Sequence, residues 1–311
     1  MEWGFLPMIF IATVQSTPPL LIAGLGELIT EKSGVLNLGV EGMMLVGAVF
    51  AFIVAFITDS FWFGATAGIG AGIVMAALFA LLTVFLRANQ VACGLALTIF
   101  RHGFSAFVGL EYEGKSLTSP PAYKIPFLGD IPVLGPMLFN YQVPVYFAVL
   151  LLSVTVWFLL HTRAGLILRA VGENHHAAGK MGYPVSWIRF VAVIYGGALC
   201  GLAGAYLSIF YTPLWAQNMT AGRGWIVLAL VVFASWRPWR LAMGAFLFGF
   251  IGIMNFSLQA WGVSITPQFL AMAPYLVTIA VLVIISLSLK RRGQSTGDTP
   301  QCLGQPFPLR S

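Results

Sequence analysis

The feature that most constrains this chain is the recurrence, from one end to the other, of apolar runs about 20 residues long. That is the length a helix needs to cross a hydrocarbon core of about 30 Å. In order they are Phe5–Ile29, broken near Pro18 and Pro19 and followed by an expected tight polar turn at Thr30–Ser33, then Gly34–Ile57, Phe61–Leu86, Val91–Leu110, Pro144–Leu160, Ile188–Tyr211, Gly224–Trp236, Leu241–Leu258 and Phe269–Leu289. Only 8% of the residues are charged and mean hydropathy is +0.90, whereas a soluble domain carries roughly 25% charged residues. The expected fold class is therefore an all-α polytopic membrane protein of about 8–10 transmembrane helices. Residues 1–292 form one transmembrane domain, and 293–311 form a polar tail expected to be disordered. Gly224–Trp236 is short for a crossing and Gly34–Ile57 opens on glycines, so both are candidates for broken or re-entrant elements.

The charges that remain report topology. The chain has a net charge of +6, but its basic residues stand at the ends of apolar runs and in Lys290, Arg291 and Arg292 instead of on one polar face. This excludes nucleic acid as the partner. Residues 163–187 and the adjoining Arg189 hold Arg163, Arg169, Lys180 and Arg189 against Glu173, which predicts a cytoplasmic loop. Residues 111–143 set Glu111, Glu113 and Asp130 against Lys115 and Lys124 and are expected outside. Counting from Arg237, Arg240 and the basic triplet gives about nine crossings, with the N-terminus outside and the C-terminus cytoplasmic. The beginning lacks the basic region of a cleaved signal peptide.

The loop at 163–187 contains a short helix marked at both ends. Asn174 suits the N-cap, Ala177 and Ala178 favour helix, Gly182 suits the position after the last turn, and Pro184 blocks continuation. About two turns are not stable alone in water. This helix must therefore lie on the protein's own spans or in a partner's groove.

Charges inside the apolar runs each cost roughly 2.5–3.5 kcal/mol on the insertion scale, so they should face protein or a water-filled cavity. Glu41 is the foremost, with Asn37 expected one turn earlier on the same helix face. Both either tie helices together, cap a broken one, or line a solute path. Arg101, followed by His102, lines a cavity, pairs with Glu41, or snorkels to an interface. Trp225 offers a flat face for a ring, and Arg223 suits an interfacial anchor. Gly64, Gly68 and Gly72 form GxxxG pairs that permit close helix approach or serve as plain packing.

Other motifs carry less. Cys93, Cys200 and Cys302 are widely spaced and imply neither metal site nor disulfide framework. Gly109–Ser116 matches GxxxxGK[ST], but it follows an apolar run and leads into LTSPPAYKIP, which cannot open a helix, so it is rejected as a phosphate loop. No catalytic constellation can be argued, and the chain is expected not to be an enzyme. A weak internal repeat relates 34–110 to 222–289, entering the membrane from opposite sides as in transport proteins.

Three blocks carry a resemblance: GVLNLGVEGMMLVGA (34–48), RAVGENHHAAGKMGYPV (169–185) and AGRGWIVLALVVFASWRPWR (221–240). They resemble the membrane permeases of bacterial ABC importers for ribose-type simple sugars and nucleosides, in particular those working with a BMP-type binding lipoprotein. The similarity extends over nearly the whole chain and lapses after Arg292. It implies a permease subunit in the bacterial inner membrane, paired with a second permease subunit, a homologous heterodimer being favoured. It also implies cytoplasmic ABC ATPases, an extracytoplasmic substrate-binding lipoprotein, and nucleosides, purine types especially, or simple sugars as substrate. The chain itself would bind no cofactor, ATP being hydrolysed by the partner. By the same resemblance Gly172, Glu173, Asn174, Ala177, Ala178, Gly179 and Gly182 couple to the ATPase, while the residues themselves make Asn37, Glu41, Arg101 and Trp225 the candidates for the substrate path. His175 and His176 depart from the family pattern, as does the Arg101-His102 pair. The rival is an ion-coupled secondary transporter with Glu41 at its ion site.

Overall fold

A computed structural model describes residues 5–126, 129, 131, 134–260 and 299–306, with isolated positions between 272 and 283. Its crossings are helices, as hydrocarbon requires of a backbone that cannot bond to water. Helices α1 (Phe5–Ser16) and α2 (Pro18–Lys32) meet at Thr17. Prolines in the first turn of α2 need donate no intrahelical bond. Together they form one span, Pro7–Lys32. There follow α3 (Val40–Thr58), α4 (Phe61–Ala80) prolonged by a π-helical turn Leu81–Phe85, and α5 (Gln90–Gly109), which is capped by Asn89.

The long irregular segment contains β1 (Tyr123–Lys124), α6 (Leu134–Leu138) and β2 (Asn140–Tyr141), with β1 and β2 paired antiparallel. Next come α7 (Val143–His161), α8 (Arg163–Glu173), α9 (His175–Lys180) and α10 (Val185–Ala205) with its π-helical continuation Tyr206–Tyr211. The last described helices are α11 (Arg223–Phe233) and α12 (Pro238–Ala260). Among the described residues seven helices are long and apolar enough to cross a membrane. The expected run Gly224–Trp236 is the short α11, and the expected run Phe269–Leu289 lies outside the described residues apart from isolated positions.

Two boundaries differ from expectation. Thr30, Glu31 and Lys32 are not a turn but the buried last turn of α2. The Thr30 hydroxyl donates to the Gly26 and Ala192 carbonyls, so the polar side chain is satisfied inside the helix and against α10. The break falls instead at 33–39, and α3 starts at Val40. Asn37 is consequently not on a helix, and the spacing that put it on one face with Glu41 does not apply.

The centre of the molecule is a stack of small residues. A side chain added at Gly72 would strike the Gly197 carbonyl and the backbone of Gly201, and one at Gly47 would come within 2.6 Å of Gly201 Cα. Backbones of α3, α4 and α10 therefore touch, which is how apolar helices associate where lipid removes the hydrophobic drive. Gly72→Val is expected to lower stability by at least the 1–3 kcal/mol typical of overpacking. Its thermal midpoint in detergent is the check, and a wild-type midpoint would remove this role for the glycine.

The tail, expected to be disordered, is held over 299–306. Cys302 N–H donates to Gly172 O (2.9 Å), Gly304 N–H to Gly34 O (3.2 Å), and Arg189 Nη1 to Gln305 O (2.9 Å). These bonds satisfy buried backbone groups that bracket the ends of α2 and α8, which polar composition alone could not reveal.

Candidate functional site

Two interrupted elements converge on one carboxylate. The break at 33–39 feeds α3 from the end of the molecule that carries Lys32, Arg87, Arg169 and Arg237, here the basic end. The irregular stretch 212–222 feeds α11 from the opposite end, where Gly114 N–H donates to Trp215 O and Leu117 N–H to Pro213 O. The first turns of α3 and α11 then meet: Gly224 packs on the backbone of Glu41. α11 has only 11 residues, and Arg101 stands eleven residues into α5. At 1.5 Å per residue both counts set the junction about 16 Å from the basic end, near the middle of a hydrocarbon core of about 30 Å.

Glu41 organises this junction and is fully buried. Its Oε1 accepts from Arg101 Nη1 (2.6 Å), Thr220 Oγ1 (2.6 Å) and Gly222 N (3.0 Å), and its Oε2 accepts from Gly224 N. No residue of 212–222 caps α11 with its own side chain. The carboxylate from α3 does so instead, against the positive end of the helix dipole. Gly222, at φ +83, supplies the left-handed turn that aims these amides inward, a conformation glycine takes without steric cost. Arg101 is 4% exposed. It donates also to Thr98 O, Glu41 O and Thr220 Oγ1.

On the open side of the pair stands His102, whose Nε2 lies 3.1 Å from Arg101 Nη2. His102 is exposed at this depth, Gly103 beside it faces open space, and Phe100 and Phe104 stack with centroids 5.1 Å apart. A polar ring so deep cannot face lipid without cost. This face of α5 therefore borders water or another chain. Trp225, half-buried, follows Gly224 in the first turn of α11.

Of the path candidates, then, the structure brings Glu41 and Arg101 together as an ion pair and sets Trp225 next to them in sequence on α11. Asn37 lies apart. Its backbone N–H donates to Glu27 Oε1 (3.3 Å), and its side-chain oxygen accepts from Gly39 N (3.0 Å). Glu27 was missed by the sequence reading, although a carboxylate inside PPLLIAGLGELI was a signal available there. Glu31, which accepts from Trp236 Nε1 at 2.5 Å, was hidden by the misplaced turn. Thr220 and the inward role of Arg189 carry no sequence signal.

The segment at the basic end has the expected local design. Asn174 Oδ1 accepts from Ala177 N at 2.9 Å. Gly182 takes φ +89, and Tyr183 N–H returns to Ala178 O at 3.2 Å, closing the helix. Ala178 is buried with Val171 and Val185, and Gly172 is buried under the tail. Glu173, Asn174, Ala177 and Gly182 are exposed, with Gly179 between.

His175 turns inward. Its Nδ1 is 3.0 Å from Arg189 Nη2, and since guanidinium only donates, Nδ1 must accept and the ring must be neutral. Burial first, then the charges of Arg189 and His176, push its pKa down to about 4. An undocked histidine titrates near 6.5. Between these values the undocked form binds more protons, so the seating of α9 is complete above about pH 6.5 and weakens as pH falls towards 4. Protection of the 174–183 amides, exchange being referred to the intrinsic rate at each pH, is expected to fall over that window in wild type and not in His175→Gln. A flat wild-type profile would overturn the assignment.

Residues 9–289 match the family described as branched-chain amino acid transport system / permease component. TsgC13 of Haloferax volcanii, provisionally named a glucose ABC transporter permease protein, is 42% identical over 87% of this chain and 89% of its own length. The guanosine ABC transporter permease protein NupQ of Bacillus subtilis is 33% identical over 89% of this chain and 91% of its own. The nucleoside ABC transporter permease protein NupC of Lactococcus lactis is 32% identical over 87% and 89%.

Proposed function

From the premise that the chain belongs to the family of permease components of branched-chain amino acid transport systems, a multi-pass membrane family whose members work with an ATPase and a binding protein, we propose a specific task. It forms the translocation path for nucleosides or simple sugars in an ATP-driven importer. The basic end faces the cytoplasm, and α9 receives the ATPase. A second, homologous permease subunit faces α5, and an extracytoplasmic binding protein delivers solute from the other end. The observation that carries the path assignment is the exposed His102, held at mid-depth by the anchored Arg101 and flanked by stacked Phe100 and Phe104. Such a face offers hydrogen bonds to hydroxyls or a ring edge and apolar contact to a flat ring.

Alternating access then requires only that ATP-driven closure of the partners move α9, and with it α8 and α10, relative to the Glu41 junction. The ion-coupled alternative placed its ion at Glu41. Both oxygens there are occupied by Arg101, Thr220 and the α11 amides, which leaves no open oxygen at Glu41 for an ion. The test is uptake of labelled guanosine, adenosine and glucose in cells carrying the complete gene cluster, with and without this gene. Loss of nucleoside or glucose uptake supports the reading and selects the substrate, and no change in any of the three opposes it. His102→Leu is expected to cut uptake roughly tenfold, the loss of one hydrogen bond of about 1.4 kcal/mol, with protein levels unchanged. Undiminished uptake would take His102 off the path.

A further inference from the structure

At the basic end, between α2, α7, α8 and the α11–α12 turn, lies a cavity of about 610 Å³. Lys32, Arg169 and Arg237 line it from three separate elements, with Glu173 as the one carboxylate on its wall among the described residues. The buried Nε of Arg169 has no hydrogen-bond partner among the described residues. The remainder of the wall is apolar, from α7 and α8, where Leu160 and Leu166 are exposed. Trp236 and Trp239 close the rim, and Trp239 is 59% exposed.

We propose that this cavity binds the phosphate headgroup of an anionic phospholipid of the inner leaflet, with its acyl chains along the exposed face of α7. The position follows from the orientation proposed above, which puts the cavity at the cytoplasmic interface. Three cations against one carboxylate attract a phosphodiester. Tryptophan is suited to the depth of the glycerol backbone, and exposed leucines continue into hydrocarbon. A soluble anion would use the cations but not the apolar wall.

The test uses the assembled importer reconstituted in vesicles containing brominated phosphatidylglycerol or brominated phosphatidylcholine, read by tryptophan quenching. Trp239→Phe identifies the part of the signal that comes from the rim. Quenching by the brominated phosphatidylglycerol is expected to exceed that by the phosphatidylcholine. Arg169→Gln with Arg237→Gln should lower the relative affinity roughly thirtyfold, two basic residues' worth. Arg240→Gln, an exposed neighbour outside the cavity, should change nothing. Equal quenching by the two lipids overturns the proposal. So does selectivity that survives the double substitution. Selectivity abolished by added inorganic phosphate would assign the site to a free anion instead of a lipid. Because the readout is binding, its failure leaves the transport assignment untouched.

Discussion

Ala177→Arg is expected to abolish solute uptake while leaving the protein folded and inserted. α9 is only six residues, His175–Lys180, too short to hold itself, and it is fixed from within by the Asn174 cap, the Gly182 closure and the burial of Ala178. Ala177 points the other way and is exposed. A bulky cation there leaves every internal contact intact and blocks only what docks from outside. A lost anchor at the centre of such a helix-in-groove contact costs about 2–4 kcal/mol, a weakening of roughly thirtyfold or more. Co-purification of the ATPase with the permease should fall with uptake. Ala178→Arg should behave differently, because it drives a charge between Val171 and Val185 and unseats α9. Its loss of uptake should come with faster amide exchange across 174–183. Normal uptake in the Ala177 variant would remove α9 as the coupling element.

Removing Glu41 is expected to have the largest effect on stability. Glu41→Ala leaves Arg101 buried without its counter-charge and strips the cap from α11, and loss of one partner from a buried pair costs about 3–5 kcal/mol. Arg101→Met should cost less, because the carboxylate keeps Thr220 and the amides of Gly222 and Gly224. The double variant Glu41→Ala with Arg101→Met should recover part of the loss, since no buried charge then remains. Thermal unfolding of the purified proteins closes the cycle. Single effects that simply add, within about 0.5 kcal/mol, would falsify the coupling. Uptake measured on the same proteins separates this structural role from contact with solute, because a merely structural carboxylate lowers folded protein and uptake together.

How far the residues alone were legible depends on range. Where the governing interactions are local, the sequence reading and the structure agree. The crossings follow from the length of apolar runs, and α9 was delimited by a cap, two alanines and a glycine that act within a few residues of one another. The same locality misled where a distant partner intervened. Thr30–Ser33 reads as a polar turn, yet α10 accepts the Thr30 hydroxyl and the helix continues. A polar tail reads as disordered, yet the Gly34 and Gly172 carbonyls hold 299–306 by backbone bonds that any sequence could supply, and the distant Arg189 guanidinium adds a third to Gln305 O.

The candidate site divides in the same way. That Glu41 and Arg101 had to find partners was determined by the sequence, because neither charge can stand in hydrocarbon unpaired. That they found each other was one of the options the residues left open. Only the tertiary structure decided it, by bringing the breaks before α3 and α11 to one depth from opposite ends. The structure alone also separated Asn37 from Glu41, faced Ala178 inward and Ala177 outward, and gathered Lys32, Arg169 and Arg237 around one cavity. The physical reason is common to all of these. Hydropathy and capping are properties of neighbours along the chain, whereas the partner of a buried polar group is fixed by which backbones can approach, here the small-residue contacts at Gly47, Gly72 and Gly201.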